Sequence, residues 1–285
     1  MSYCRIAVLP KLIWVQKKEI NIHTIRREII LCKIKEITAG SIRVGVFESR
    51  IAMGKAAAVD AAARIHNIID AKGQANVVFA AAPSQNEFLA ELQKQDVDWS
   101  KINAFHMDEY IGLQKNAPQG FGNFLKEAIF GKVPFKSISY IDNQNEDPEI
   151  AAQNYEKLLT ENSPDLVFLG IGENGHLAFN DPHVADFNDP KKVKTVRLAE
   201  ICRNQQVNDG CFEKFDDVPA NAITLTMSML MSIPEVLVIV PGSTKSEAVY
   251  RTVYEPISTA CPATILRTHK GTALYTERDA GAKLL

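Results

Sequence analysis

Four stretches of this 285-residue chain place chemically capable side chains directly after short apolar runs. Asp108 and Glu109 follow INAFHM, residues 102–107. A carboxyl group emerging from a buried strand is held above its ordinary pKa and can shuttle a proton near neutral pH. Neighbours on a strand point to opposite faces, so only one of the two is expected to enter a common pocket. His176 lies in GENGHLAFNDP, residues 172–182, where Gly172 and Gly175 permit a tight backbone path. Asn174 and Asp181 are near enough in sequence to orient its ring, and an imidazole held by a carboxylate is a general acid or base. Ser84, Gln85 and Asn86 follow NVVFAAA, residues 76–82, and Lys245 ends the PGST turn after EVLVIV, residues 235–240. Each of these two turns leads into an expected helix, whose free N–H groups and positive dipole end suit a phosphate. Ser84 and Ser243 equally suit plain helix caps. Neither turn carries a nucleotide-binding glycine fingerprint. Taken together, the four ends describe a polar pocket for an anionic, hydroxyl-rich ligand.

Delivering these groups to one place requires parallel strands, because ligands of open α/β sheets bind beyond the strands' carboxyl ends. The chain has that rhythm from about residue 42. Short apolar runs at 43–48, 76–82, 102–107, 165–170, 235–240 and 273–276 read as strands. Helix-spaced segments at 51–71, 87–95 and 243–253 lie between them. This predicts an α/β fold: a doubly wound, mostly parallel, Rossmann-like sheet with helices on both faces. Residues 183–218 are polar and proline-punctuated, and read as a long excursion serving as a lid or flap. Residues 1–41 are basic and outside the rhythm. They are expected to be an N-terminal extension, a hairpin or an arm, before one domain spanning 42–285.

Composition narrows the partners. Hydrophobic residues make up 46% and charged residues 23%, an ordinary globular balance, with net charge −2. That charge gives no reason to expect nucleic acid, and no apolar run is long enough to span a membrane. The apolar stretch of residues 6–15 is interrupted by Pro10 and Lys11, so a signal peptide is not expected. Five scattered cysteines without a CxxC pair point to reduced thiols in a cytoplasmic protein rather than to disulfides or zinc. His106, Asp108 and His176 lack recognisable metal-ligand spacing, so neither metal nor cofactor is expected. A homo-oligomer is compatible with these features, but none of them selects one.

The motifs resemble those of the glucosamine-6-phosphate deaminase family. FHMDEYIGL, residues 105–113, is similar to its F-x-M-D-E-Y-x-G-L signature, and LGIGENGHLAFNDP, residues 169–182, to its G-x-G-x-[DN]-G-H signature. VPGSTK, residues 240–245, matches its phosphate turn. The resemblance implies isomerisation of an amino sugar phosphate with loss of ammonia and without a metal. It makes Asp108 the proton-shuttling base, and His176 the ring-opening group held by Asn174 and Asp181. Ser84, Gln85, Asn86, Glu109, Gly172, Gly175, Arg203 and Lys245 would then contact the sugar phosphate, Arg203 and Lys245 at the phosphate and Arg267 as reserve. Three departures mark a divergent member: APSQNE (residues 82–87) replaces a Gly/Thr-rich phosphate loop, Asn174 stands where Asp is common, and Asp181 where Glu is usual. A galactosamine-6-phosphate deaminase, a 6-phosphogluconolactonase-like hydrolase and a weakly catalytic sugar-phosphate sensor are the alternatives.

Overall fold

The computed structural model describes residues 32–285. Eleven strands and seven α-helices occur among these residues. An eight-stranded sheet contains β1 (Lys33–Ala39), β2 (Ile42–Phe47), β3 (Ala75–Phe79), β4 (Ile102–His106), β6 (Ser137–Ser139), β7 (Leu166–Leu169), β10 (Glu235–Val240) and β11 (Thr272–Glu277). Their spatial order is β1-β2-β11-β10-β7-β3-β4-β6, and every pairing but β1 with β2 is parallel. A second, three-stranded antiparallel sheet joins β5 (Asp108–Tyr110), β9 (Asn221–Leu225) and β8 (Val193–Arg197) in that order.

Alternation along the parallel strands explains the two-sided burial. Val78, Val167, Leu169, Val236 and Val238 face one core with α4 (Pro148–Glu161), α6 (Met227–Ser232) and α7 (Ser246–Tyr254). Val77, Phe79, Leu166, Phe168, Leu237 and Ile239 face the other with α1 (Arg50–Lys72), α2 (Asn86–Leu92) and α3 (Phe121–Leu125). Strands buried on both faces need no polar alternation, which is why they read as continuous apolar runs. Helix α1 starts where Ser49 Oγ accepts the Ala52 N–H at 3.2 Å, and its alanines lie flat against the sheet. The doubly wound α/β architecture is therefore as expected.

Several boundaries move for physical reasons. The run 76–82 leaves the sheet after Phe79, freeing Ala80, Ala81 and Ala82 to line a cavity. The domain start expected at residue 42 falls inside the β1–β2 hairpin, so residues 33–41 are part of the sheet's edge; residues 1–31 lie outside the described residues. The excursion 183–218 does lie against the cavity, but as folded structure, β8 and α5 (Glu200–Asn208). The four described cysteines are free thiols. No described helix is long and apolar enough to cross a membrane.

One junction decides how the two sheets meet. Between β4 and β5 the chain turns out of the large sheet, and buried His106 holds the turn. Its Nδ1 lies 3.0 Å from the Asp108 carbonyl oxygen, and its Nε2 accepts the Ile141 N–H at 2.8 Å. The Tyr155 hydroxyl from α4 donates to the His106 carbonyl at 2.9 Å and receives the His106 N–H at 3.1 Å. Burial lowers the His106 pKa to about 4, so the ring stays neutral, with Nδ1–H as donor. Tyr155→Phe should cost about 1–3 kcal/mol by stranding buried backbone groups, measured as a lower urea midpoint with unchanged slope.

Candidate active site

The order in which strands are laid down reverses between β3 and β7, opening a crevice at their carboxyl ends. The cavity there is lined by segments following four parallel strands. Ala80–Ala82 and Ser84 follow β3, Met107 and Asp108 follow β4, Gly170–Gly172 and His176 follow β7, and Lys245 follows β10. Gln205 and Gln206 of α5, with Phe121, Ala178 and Phe179, complete it.

Asp108 is 6% exposed. Burial, and then the charge of Glu109, push its carboxyl well above the ordinary carboxylate range. Glu109 turns the other way. Its carboxylate accepts the N–H groups of Tyr110 (2.9 Å), Phe121 (3.0 Å) and Gly122 (2.9 Å), which fastens the start of α3. Burial raises the Glu109 pKa against these three bonds. Glu109, expected to contact substrate, does not line the cavity but bonds to the backbone beside it, and strand alternation leaves Asp108 as the member facing the cavity.

His176 is oriented by a small network. The Asn174 amide donates from Nδ2 to Asp181 Oδ1 at 2.8 Å, and its Oδ1 accepts the His176 N–H at 3.1 Å. That fixes which end of the amide is which. His176 Nδ1 then faces two acceptors, Asn174 Oδ1 at 2.8 Å and Asp181 Oδ1 at 3.2 Å. Nδ1 therefore carries the hydrogen, and Nε2 is left with its lone pair. Although one methylene shorter than Glu, Asp181 still reaches the ring. Burial pushes the Asp181 carboxyl up, but His176, Asn174 and the Ala199 N–H outweigh it and hold it at about 2. Both glycines of the loop are required. A Cβ on Gly172 would overlap the imidazole of His176, and Gly175 has φ +86° with Cys261 Sγ where its Cβ would lie.

Lys245 sits at the start of α7, 4% exposed, and its Nζ has no hydrogen-bond partner among the described residues. Burial lowers its pKa, and the charges of Asp209 and Glu173 partly offset this. Ser84 makes no cap; its Oγ lies 3.3 Å from Gln85 Nε2, which also donates to the Ile239 carbonyl at 3.1 Å. Gln85 thus braces β10 from below the cavity, and Asn86 is exposed outside it. Arg203 is likewise committed elsewhere: it donates to the Phe215 and Val218 carbonyls and stacks on the Phe215 ring, 4.0 Å from its centroid. Arg267 is spent on the Val253 and Glu255 carbonyls.

Gln205 and Gln206 escaped the sequence reading, though a signal for them exists. Cys202, Gln205 and Gln206 are spaced i, i+3, i+4 and share the buried face of α5, whereas Arg203 does not. Among the described residues one group could offer metal ligands: a ring nitrogen of His176, an Asp181 oxygen and Cys202 Sγ lie within 4.8 Å of one another. The first two already bond to each other, and burial keeps the thiol protonated.

Two substitutions test these assignments. Arg203→Ala should lower stability by about 1–3 kcal/mol while leaving the KM for a phosphorylated substrate within about twofold. Gly172→Ala should displace the imidazole and lower kcat by about 10²-fold or more, with CD and thermal unfolding showing that the fold persists.

The profile of the family described as glucosamine-6-phosphate isomerases/6-phosphogluconolactonase matches residues 48–275. A glucosamine-6-phosphate deaminase from Bacillus thuringiensis is 34% identical over 216 residues, 76% of this chain and 80% of that protein. The Bacillus cytotoxicus deaminase is 33% identical over the same shares. Among solved structures, a monomeric glucosamine-6-phosphate deaminase superposes with TM-score 0.76 at 24% identity, covering 84% of this chain and 98% of that one. The 6-phosphogluconolactonase of Trypanosoma brucei gives 0.72 at 15% identity, covering 88% and 100%. The motifs at Asp108 and His176, the fold and the match over residues 48–275 lead to one conclusion: this chain belongs to the glucosamine-6-phosphate isomerase/6-phosphogluconolactonase family.

Proposed function

We propose that this chain converts glucosamine 6-phosphate and water to fructose 6-phosphate and ammonia. The observation that carries the reading is one cavity lined by a carboxyl of raised pKa, an oriented imidazole and a buried, unpartnered lysine. Its support is the 34% identity to curated deaminases.

The residues divide the work as follows. The phosphate binds Lys245 Nζ and Ser84 Oγ, beside the N–H groups opening α2 and α7. His176, with Nδ1–H held by Asn174 and Asp181, uses Nε2 to move the proton between the anomeric hydroxyl and the ring oxygen, which opens the ring. The imidazolium that exists between taking the proton and delivering it is stabilised by Asp181, whose low pKa keeps it ionised. Asp108 then takes the C2 proton, giving an enolamine, and returns it to C1. Water adds at C2 and ammonia leaves, with the ketose as product. A base of raised pKa suits a C–H proton better than an ordinary carboxylate, because a proton acceptor works best near its operating pH. The superposition with 6-phosphogluconolactonases favours lactone hydrolysis as the second reading. Hydrolysis would need His176 to activate water and would leave Asp108 without a proton to move.

The test is release of ammonia and fructose 6-phosphate from glucosamine 6-phosphate, with 6-phosphogluconolactone run in parallel. Equimolar ammonia and ketose is the expected outcome; hydrolysis of the lactone alone would replace this reading by the second. Asp108→Asn should lower kcat by about 10²–10⁴-fold with little change in substrate binding. In the wild type Asp108 works ionised and its pKa is raised, so kcat should fall with decreasing pH at values above the ordinary carboxylate range. A kcat that stays flat down to about pH 4 would exclude Asp108 as the base.

A further inference from the structure

Lys245 has a neighbour that an ordinary phosphate site would exclude. Glu173 Oε1 is 4.0 Å from Lys245 Nζ, beyond hydrogen-bond reach. Both atoms are buried, and neither has a hydrogen-bond partner among the described residues. The Glu173 backbone is pinned by its N–H to Gln205 Oε1, 2.9 Å, so the loop after β7 holds the carboxylate beside the lysine. Asp209, at the end of α5, adds a second negative charge acting on Lys245, and it receives Gln205 Nε2 at 3.3 Å. The other titratable groups nearby offer no compensating cation. Cys202 on α5 is kept protonated by burial, and Arg50 at the start of α1 is paired with Glu87 at 2.8 Å. Arg203 and Arg267 are spent on backbone carbonyls.

A fully ionised phosphate on Lys245 would bring like charge against Glu173, at a cost that grows with burial. A ligand atom pair that accepts from Nζ and donates to Oε1 would satisfy both orphaned groups at once. A phosphate that keeps one proton has both functions on one phosphorus. We propose that Glu173 makes the site selective for the singly protonated phosphate monoester, with P–O⁻ on Lys245 and P–OH donating to Glu173. This rests on the phosphate role given above to Lys245. It adds that the carboxylate reads the protonation state of the ligand. Sulfate, which has no proton to give in this pH range, is the natural counter-ligand.

The experiment is direct calorimetric binding of inorganic phosphate and of sulfate at pH 5.5 and pH 8, to wild type, Glu173→Gln and Lys245→Gln. In the wild type, phosphate at the lower pH should bind at least about tenfold more tightly than sulfate, the worth of one charge-assisted hydrogen bond. That preference should shrink as phosphate loses its proton. Glu173→Gln, whose amide can donate, should bind sulfate and dianionic phosphate more tightly than the wild type and lose the preference. If Glu173→Gln keeps the wild-type ratio while Lys245→Gln abolishes binding, the lysine is the phosphate ligand and the role of Glu173 is overturned. If Lys245→Gln binds phosphate as the wild type does, the phosphate pocket itself falls, and the role of Glu173 with it.

Discussion

Asp181 is a carboxylate with no exposed surface, and the cost of keeping a charge there organises the site around it. Three donors answer that charge: the Asn174 amide, the Ala199 N–H and the His176 ring. Each answer fixes something further. Asn174 cannot flip, so the histidine has one tautomer. Ala199 is the residue from which α5 departs, so the carboxylate sets where that helix begins. Helix α5 in turn presents Gln205 to the Glu173 backbone and Gln206 to the cavity. A single buried anion thereby ties the loop after β7 to the polar wall opposite it. Replacing Asp181 by a neutral residue would loosen both sides together, because its carboxylate bonds to the loop through Asn174 and His176 and to the start of α5 through Ala199.

The same logic explains how far the residues alone could be read. That Asp108, His176, Lys245 and Ser84 would share one crevice was legible because each follows a strand buried on both faces, and the geometry of parallel sheets sends those ends to one place. Glu109, Gln85 and Arg203 do not line the cavity, for a common reason. All three carry side chains able to hold a ligand, but each is consumed by backbone groups: the α3 amides, the β10 carbonyl, and the Phe215 and Val218 carbonyls. A sequence shows what a side chain can bond to, not which backbone group lies in reach. The small sheet of β5, β8 and β9 was invisible for another reason. Its strands are three to five residues long, and β8 is interspersed with lysine and threonine, so no apolar period stands out.

Fold and chemistry part company here. Structures of a deaminase and of lactonases both superpose on this chain, with TM-scores of 0.76 for the former and 0.67 and 0.72 for the latter, so the architecture does not choose between them. In the proposed mechanism the choice lies in the carboxyl that leaves β4. Its delivery depends on His106 and Tyr155, two buried groups that never touch the cavity yet decide where Asp108 begins β5. Ala178 pays for the same precision on the other side of the cavity, sitting at φ +49°, an arrangement costing on the order of 1 kcal/mol for a residue with a Cβ.

The ends of the large sheet bear on how copies of this molecule can meet. Among the described residues, β6 at one end of the sheet has three residues, and β1 at the other carries Lys33, Lys35 and Glu36. Short or charged outer strands are poor templates for another chain's backbone, so the sheet resists growth by strand addition in either direction. Exposed apolar surface lies instead on the outer helices, where the rings of Tyr250 and Tyr254 of α7 meet at a tilt of 51° with centroids 5.1 Å apart and face outward. The sheet formed by the described residues is therefore built to stay finite.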